Sequence, residues 1–346
     1  MKRLKFPSKQ LNIKNEALNR MIDTALACDE ITRTSVSQSA SVSLATAGKL
    51  LSALDECRFT NKIYKREDGC GSPSRLHVIR EDISVLVLDL SSYSYSATIS
   101  LGKINKVIFD KHPYDPTLSF ESNLIVFLSK IGMETSKLPF PVSAICTIIA
   151  DDPERILRTS HTSACYAVTS ADVAMVNHTC AQLFGIMPIL NLTLSQALNS
   201  AAKYGIIGYG GVGANISYIR YGDSFDSIYL PHKSAPVSFK FDRVVIDESK
   251  RFSTLAENAG SSYDRAYLLM RSINLMDCAY PTDTFFVEYD LDSIGEGVQD
   301  YVSRLFKASD IPLPQIQYLS NRPSVASLGA SVASLSSFIK AYITGI

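Results

Sequence analysis

The stretch Thr32–Glu56, TRTSVSQSASVSLATAGKLLSALDE, constrains this chain more than any other. Its spacing predicts two short helices joined by a tight turn. Thr32 or Thr34 can cap the first, which runs to about Ala40. Ser43 can cap the second, with its hydroxyl aimed at the free N–H groups of the first turn. In the second helix Ala47, Leu50, Leu51 and Leu54 fall on one apolar stripe that faces inward. Ala45, Thr46, Lys49 and Ser52 are thereby turned outward. Small, polar and basic side chains in that arrangement suit a helix lying in a DNA major groove. With Thr34 and Ser43 they are the candidate DNA contacts of this stretch. An ordinary helical hairpin carries the same stripe, so the flanking sequence has to decide.

The flanks favour DNA. Asn15 to about Cys28 predicts a helix with Leu18, Met21, Ile22 and Ala25 on one face, packed across the helix pair. Residues 1–14 read as a loose basic arm. After Glu56, Arg58–Lys65 reads as a strand, Glu67–Pro73 as a turn and Arg75–Ile79 as a returning strand. Gly69 and Gly71 permit the reversal. Three helices and a hairpin make a winged helix-turn-helix over residues 1–80. Lys62, Lys65, Arg66 and Arg75 then lie within reach of a phosphate backbone or minor groove.

Charge divides the chain the same way. The whole sequence balances 34 Lys and Arg against 34 Asp and Glu, but residues 1–80 hold 14 basic and 8 acidic side chains, leaving 20 and 26 for the remainder. A basic head on an acidic body fits a nucleic-acid-binding module fused to a domain for a neutral ligand or partner. A solvated charged surface would give the same counts.

With 346 residues the chain can hold two or three domains, and 46% hydrophobic with 20% charged residues is a globular balance. No run of apolar residues is long enough for a membrane span, and no apolar segment follows the basic start MKRLKF, so no secretion signal is expected. Cys28, Cys57, Cys70, Cys146, Cys165, Cys180 and Cys278 are odd in number and form no CxxC. Reduced thiols in a cytoplasm are expected, with no disulfide framework and no zinc cluster. His161, His178, Cys165 and Cys180 fit no standard zinc spacing.

Beyond residue 80 the pattern is mixed α/β. ISVLVLDL predicts a buried strand ending near Asp89, followed by two strands in SSYSYSATISL and INKVIFD. Glu121–Ile131 predicts a helix and Val142–Ala150 a strand. Asp172–Phe184 predicts a helix, Met187–Leu192 a strand, and Ser195–Tyr204 a helix ended by Gly205. Ile206–Ile219 predicts a strand pair around Tyr209-Gly210-Gly211-Val212-Gly213, with further strand in Val237–Ile246. Then come a helix over Ser262–Leu275, a strand over Asp283–Tyr289, a mostly helical Ser293–Ala308, a strand over Gln315–Leu319 and a closing helix over Ala326–Ala341. Strand triplets followed by alternating helices and strands, occurring twice, predict a two-lobed α/β body.

Over its whole length the chain resembles the ROK family of repressors, open reading frames and sugar kinases. VSLATAGKLLSALDE resembles the recognition helix of the repressor branch, and Gly71-Ser72-Pro73 stands where that branch carries a Gly-Arg-Pro wing motif, which adds Ser72 to the DNA candidates. VLVLDLSSYSYSATIS resembles the first phosphate strand pair, GGVGANISYI the Gly-rich turn of the second lobe, and ASLGASVAS the closing helix. The implied fold is a winged helix-turn-helix before an actin-like, sugar-kinase-type (ribonuclease H-like) domain. The implied division is residues 1–80 and 81–346, with lobe one at about 81–194 plus 326–341 and lobe two at about 205–320.

Departures from the kinases bear on activity. The resemblance implies Asp-x-Gly-Gly-Thr after the first strand; Asp89 is kept, but Ser91, Ser92 and Tyr93 replace residues small enough for phosphate to approach the backbone. It implies Glu-Asn-Asp at the end of a later strand, the Asp being general base. With the strand at Met187–Leu192 that position falls on Leu194, which cannot accept a proton. The Gly-Glu-x-Gly-His sugar motif is reduced to Leu230-Pro231-His232, and the cysteine-rich zinc loop is absent. Asp89, Asn191, Thr193, Gly211, Gly213 and His232 remain as candidate contacts for a small ligand, although His232 reads equally as a loop residue and the glycines as a plain tight turn.

The expectation is a cytoplasmic DNA-binding regulator of the ROK repressor type that binds double-stranded DNA as a homodimer or dimer of dimers. It would carry no catalytic residues, no cofactor and no membrane association, with a body open to sensing a sugar or sugar phosphate. The alternatives are an active sugar kinase with an appended domain and a protein-interaction scaffold that no longer senses a ligand.

Overall fold

The computed structural model describes residues 15–27, 30–65, 74–80, 82–90, 94–101, 104–113, 115, 117–138, 141–149, 172–190, 192, 202–210, 213–228, 237–245, 261–279, 281–289, 297–320 and 324–344. The chain divides into two compact units. One comprises Met1–Ala197, Ser227–Ser238 and Val325–Ile346, the other Leu198–Asp226 and Phe239–Ser324.

The first unit opens with α1 (Asn15–Ala27), α2 (Arg33–Ser39) and α3 (Leu44–Glu56), then the hairpin β1 (Thr60–Lys65) and β2 (Ser74–Ile79). The hairpin is antiparallel, with Thr60 opposite Ile79 and Lys65 opposite Ser74. Ile31 bridges to His77 as a short third strand. Leu18, Met21, Ile22 and Ala25 of α1 and Ala47, Leu50, Leu51 and Leu54 of α3 are all buried, as their spacing predicts. Each leucine so buried contributes roughly 1.5–3 kcal/mol.

The same unit continues with β3 (Ser84–Asp89), β4 (Ser94–Leu101), β5 (Ile104–Pro113), α4 (Phe120–Thr135), β6 (Ala144–Ile149), β7 (Asp172–Asn177) and α5 (His178–Ile189). Its sheet runs β5-β4-β3-β6-β7. The pairs β3–β4 and β4–β5 are antiparallel, while β3–β6 and β6–β7 are parallel. Period-two alternation sends Leu86, Leu88, Ile145 and Val173 into one core with Leu124, Phe127 and Ile131 of α4. The last helix of the chain, α8 (Val325–Thr344), returns to this unit and packs on α5, β6, β3, α1 and α3. It is therefore shared by the sheet and the helical N-terminal module.

The α5–α8 crossing is close enough to require glycine. A Cβ on Gly329 would lie 1.7 Å from the Ala181 carbonyl oxygen, and one on Gly185 would lie 1.8 Å from that of Val325. Small residues Ala326, Ala330, Ala333 and Ser334 complete the buried face of α8.

The second unit holds β8 (Lys203–Gly210), β9 (Gly213–Ile228), β10 (Val237–Val245), α6 (Ser262–Ala279), β11 (Thr284–Tyr289), α7 (Val298–Ala308) and β12 (Ile316–Ser320). Its sheet order, β10-β9-β8-β11-β12, repeats that of the first unit. β8 and β9 are antiparallel; β8–β11 and β11–β12 are parallel. Ile207, Phe285 and Val287 meet Leu269, Ile273, Val302 and Phe306 in its core. Among the described residues no helix is long and apolar enough to cross a membrane.

Three expectations are corrected. Asp172–Phe184 is not one helix: Asp172–Asn177 is β7, and the helix starts at His178. A short apolar run buried on both sides has no periodicity to separate strand from helix. Met187–Leu192 is not a strand, because α5 runs to Ile189 and the Leu192 N–H then donates to the Met187 carbonyl, 2.8 Å. Lys203 and Tyr204 do not end a helix but begin β8. Gly205 is a point of close packing within that strand and not a helix stop, since a Cβ there would fall 2.6 Å from Cδ1 of Phe285. The closing helix spends its apolar residues inside its own unit, where Leu335, Phe338, Ile339 and Ile343 are all buried. Residues 193–201 lie outside the described residues, so the helix predicted to start at Ser195 does too.

Candidate nucleic-acid interface

Local hydrogen bonds fix the helix-turn-helix. At the start of α2 the Ser35 N–H donates to Thr32 Oγ1, 2.9 Å, and the Thr32 N–H donates to Ser35 Oγ, 3.0 Å, a reciprocal capping box. Of the two candidate caps, Thr32 is used and Thr34 stays exposed on α2. The turn passes through Ser41, whose φ of 53° lies in the left-handed region. That conformation costs a non-glycine residue roughly 1 kcal/mol. It is held by the Val42 N–H donating to the Ser37 carbonyl, 3.0 Å, and by Ser37 Oγ donating to the Val42 carbonyl, 2.7 Å. Ser43 then caps α3 by accepting from the Thr46 N–H, 3.1 Å.

On α3 the outer face shows Leu44, Ala45, Lys49 and Ser52 exposed, with Thr46 half-buried. The Ser43 and Thr46 hydroxyls are 2.9 Å apart and hydrogen-bonded to each other, so both serve the helix start as well as facing outward. Sequence reasoning missed two side chains here. Leu44, in the first helical turn, is 49% exposed. Arg33 reaches from α2 to donate through Nε to the Leu44 carbonyl, 2.8 Å. Gly48 gives it room, since a Cβ there would stand 3.3 Å from Arg33 Nε. A glycine inside an otherwise good helix was the available signal.

The wing is tied to the far end of α3 by Asp55. Its Oδ1 accepts from Thr60 Oγ1, 2.6 Å, and lies 2.9 Å from His77 Nδ1; its Oδ2 lies 2.9 Å from Lys62 Nζ and 3.3 Å from Arg75 Nη2. Burial raises the Asp55 pKa, but the hydrogen bonds from Thr60, Lys62 and His77 outweigh it and hold the carboxyl below its usual range. Lys62 and Arg75, expected as phosphate contacts, are thus oriented by Asp55. Lys65 pairs with Glu30 at 3.3 Å. Asn61–Lys65 are all exposed along the hairpin. Arg66 and Ser72, with the wing tip, lie outside the described residues.

In the body, Asp89 ends β3 half-buried, opposite Ser96 of β4 and Ile148 of β6. Gly213 pairs with Gly210 at the head of the β8–β9 hairpin. Asn191, Thr193, Leu194, Gly211 and His232 lie outside the described residues, as do Ser91, Ser92 and Tyr93. β7 passes directly into α5 through Val176-Asn177-His178, where His178 is half-buried. Among the described residues no three His, Cys, Asp or Glu side chains converge as a metal set.

No protein-family model matches the sequence, and neither does any curated protein. Solved structures do match. A ROK family transcriptional regulator, a homolog of the E. coli MLC protein, is similar over 94% of this chain and 98% of its own, with a TM-score of 0.56 at 9% identity. A ROK family glucokinase from Streptomyces griseus in complex with glucose and AMPPNP matches 73% of this chain and 99% of its own, with a TM-score of 0.47 at 12% identity. A ROK hexokinase from Thermus thermophilus matches 73% of this chain and 99% of its own, with a TM-score of 0.43 at 12% identity. The fold is therefore the one found in ROK family proteins: a winged helix-turn-helix and an actin-like, sugar-kinase-type α/β body.

Proposed function

We propose that this chain is a transcriptional regulator of the ROK repressor type, acting in the cytoplasm on double-stranded DNA. Residues 1–80 bind DNA and residues 81–346 form a body that dimerises and senses a sugar or sugar phosphate without phosphorylating it. One observation carries the reading: the outer row of α3. Leu44, Ala45, Lys49 and Ser52 are exposed on a helix whose other side is fully buried, beside a hairpin that carries Lys62, Lys65 and Arg75. Lys49 suits a guanine edge or a phosphate, and Leu44 and Ala45 suit thymine methyl groups. Arg33 and the Ser43–Thr46 pair fix the helix start that would approach the bases. The likeness to a solved ROK transcriptional regulator over module and body together supports the reading.

Repeated selection from a random double-stranded library with the full chain tests it. The expected product is a two-fold symmetric site with half-sites about 10–10.5 base pairs, or a multiple, apart. Binding that stays independent of sequence through successive rounds overturns it. The sensing half is tested by the thermal midpoint with hexoses, amino sugars and their phosphates, since a ligand that binds only the folded chain must raise it.

A further inference from the structure

Arg33 belongs to α2 but lies on α3. Its Nε donates to the Leu44 carbonyl, 2.8 Å. A Cβ added to Gly48 would stand 3.3 Å from that Nε, 3.5 Å from Cδ and 3.7 Å from Cζ. The arginine therefore fills the space that a side chain at position 48 would take. Helical spacing says where that space is. Ala45 and Ser52 run along the middle of the exposed face of α3, Lys49 along one margin and Gly48 along the other. The face thus has small residues at its centre and a cation on each margin, one of them supplied by α2.

Charge separates this arginine from the other cations of the module. Lys62 and Arg75 share Asp55, Lys65 pairs with Glu30, and Arg80 pairs with Asp82. Among the described residues no carboxylate pairs with Arg33, and a neutral carbonyl holds it instead. The side chain is exposed and keeps its full charge. Only its Nε is engaged there, so Nη1 and Nη2 present a planar fork of donors. The fork is also ordered in advance, which lowers the entropy lost when a ligand binds.

We propose that Arg33 holds a DNA phosphate on the α2 side of the major groove in which α3 lies. The proposal rests on the DNA-binding reading and names one of its contacts. Small residues at the centre of the face let α3 sit deep, with Ala45 and Ser52 toward the base edges. Its margins then face the walls of the groove, and those are phosphate backbone. A guanidinium fork matches a phosphate in two parallel hydrogen bonds. The helix that carries Arg33 is the one that crosses the backbone in a helix-turn-helix. Gly48 is the positioning residue of the contact: it leaves the surface of α3 open so that the arginine can lie against it, although glycine weakens a helix interior.

Titration of the full chain with a selected duplex and with an unrelated duplex, at several salt concentrations, tests the contact. Arg33→Ala is expected to weaken binding to both duplexes by about tenfold or more. It should also flatten the salt dependence by about one unit. Gly48→Ala keeps the arginine but displaces it, and should lose part of the same affinity without loss of thermal stability. Arg33→Ala combined with Gly48→Arg places the arginine on α3 itself and should recover the salt dependence, which a mere tie between α2 and α3 would not. A weakened affinity with an unchanged salt dependence would make Arg33 such a tie, and a loss confined to the selected duplex would make it a reader of bases. Either result, or wild-type binding in Arg33→Ala, overturns the phosphate contact and leaves DNA binding standing. A wild-type chain that binds neither duplex overturns the DNA-binding reading itself.

Discussion

Phe59, the third residue beyond α3, meets Phe338 of α8 edge-to-face, with ring centroids 5.8 Å apart and planes at 83°. Tyr342 closes the group, 5.9 Å from Phe59 and 4.9 Å from Phe338. Phe59 is presented there by the end of α3: Arg58 turns the chain at φ 60°, and the Phe59 N–H donates to the Leu54 carbonyl, 2.8 Å. Helix α3 is thereby joined through one buried ring to the last helix of the chain, with Phe59 and Phe338 279 positions apart in sequence. Phe59→Ala and Phe338→Ala should each cost about 3–5 kcal/mol in chemical denaturation. The double variant should cost less than their sum by about 0.5–1.5 kcal/mol. Full additivity would mean that the rings do not act as a pair.

Asp55 links α3 to the wing with charge. Its carboxyl sits below the usual range, so the stability it contributes is present above the unfolded-state value near 4 and is lost as pH falls through the lower folded value. Asp55→Asn should be less stable at neutral pH by about 1.5–3 kcal/mol. The difference should shrink as pH drops below about 4. A constant difference across that window would show that Asp55 acts through packing alone.

These two links differ in legibility. The inward stripe of α3, the caps at Thr32 and Ser43, and the hairpin can be read from spacing, because amphipathic periodicity and capping chemistry are local. The Asp55 set and the Phe59–Phe338 contact cannot, because their partners are chosen by the fold. The β7–α5 boundary failed for another reason. VAMVNHTCAQLFG is apolar on nearly every side because both elements are buried, so neither period two nor period 3.6 shows. The closing helix α8 is apolar on more than one face because its own unit covers it on two sides, sheet and N-terminal module.

Two helical glycines make a paired test of packing. Gly329→Ala drives a methyl into backbone at 1.7 Å, which neither helix can relieve without shifting. Destabilisation at the top of the roughly 1–3 kcal/mol range for overpacking, or beyond it, is expected. Gly48→Ala meets only the flexible end of Arg33 at 3.3 Å. There the gain in helix propensity of up to about 1 kcal/mol should balance or exceed the displacement of Arg33. Equal effects in thermal denaturation would contradict the close α5–α8 crossing.

Lys49 is exposed in the middle of the outer face of α3. Lys49→Ala should leave stability within about 0.5 kcal/mol. It should weaken binding to a selected site by about 1–3 kcal/mol if the contact is to a base, or flatten the salt dependence by about one unit if it is to a phosphate. Unchanged affinity at several salt concentrations would remove this face of α3 from the DNA contact.

His178 opens α5 directly after β7, a strand–helix junction of the kind at which the resemblance to sugar kinases implies a general-base carboxylate. An imidazole can accept a proton, so its presence alone does not abolish base chemistry. Phosphoryl transfer also needs the nucleotide phosphates held against backbone N–H groups. In the sequence after Asp89, Ser91 and Ser92 stand in place of the two implied glycines and Tyr93 in place of the threonine, side chains larger than such an approach would accommodate. ADP release with MgATP and hexoses or amino sugars should therefore stay at the no-enzyme rate. His178→Asp, which restores only the carboxylate, should stay there as well. Sugar-dependent release that His178→Ala abolishes would establish the histidine as the base and make the chain a kinase. Release that appears only in His178→Asp would show instead that the phosphate turn is still competent and that the loss of activity resides in this one residue.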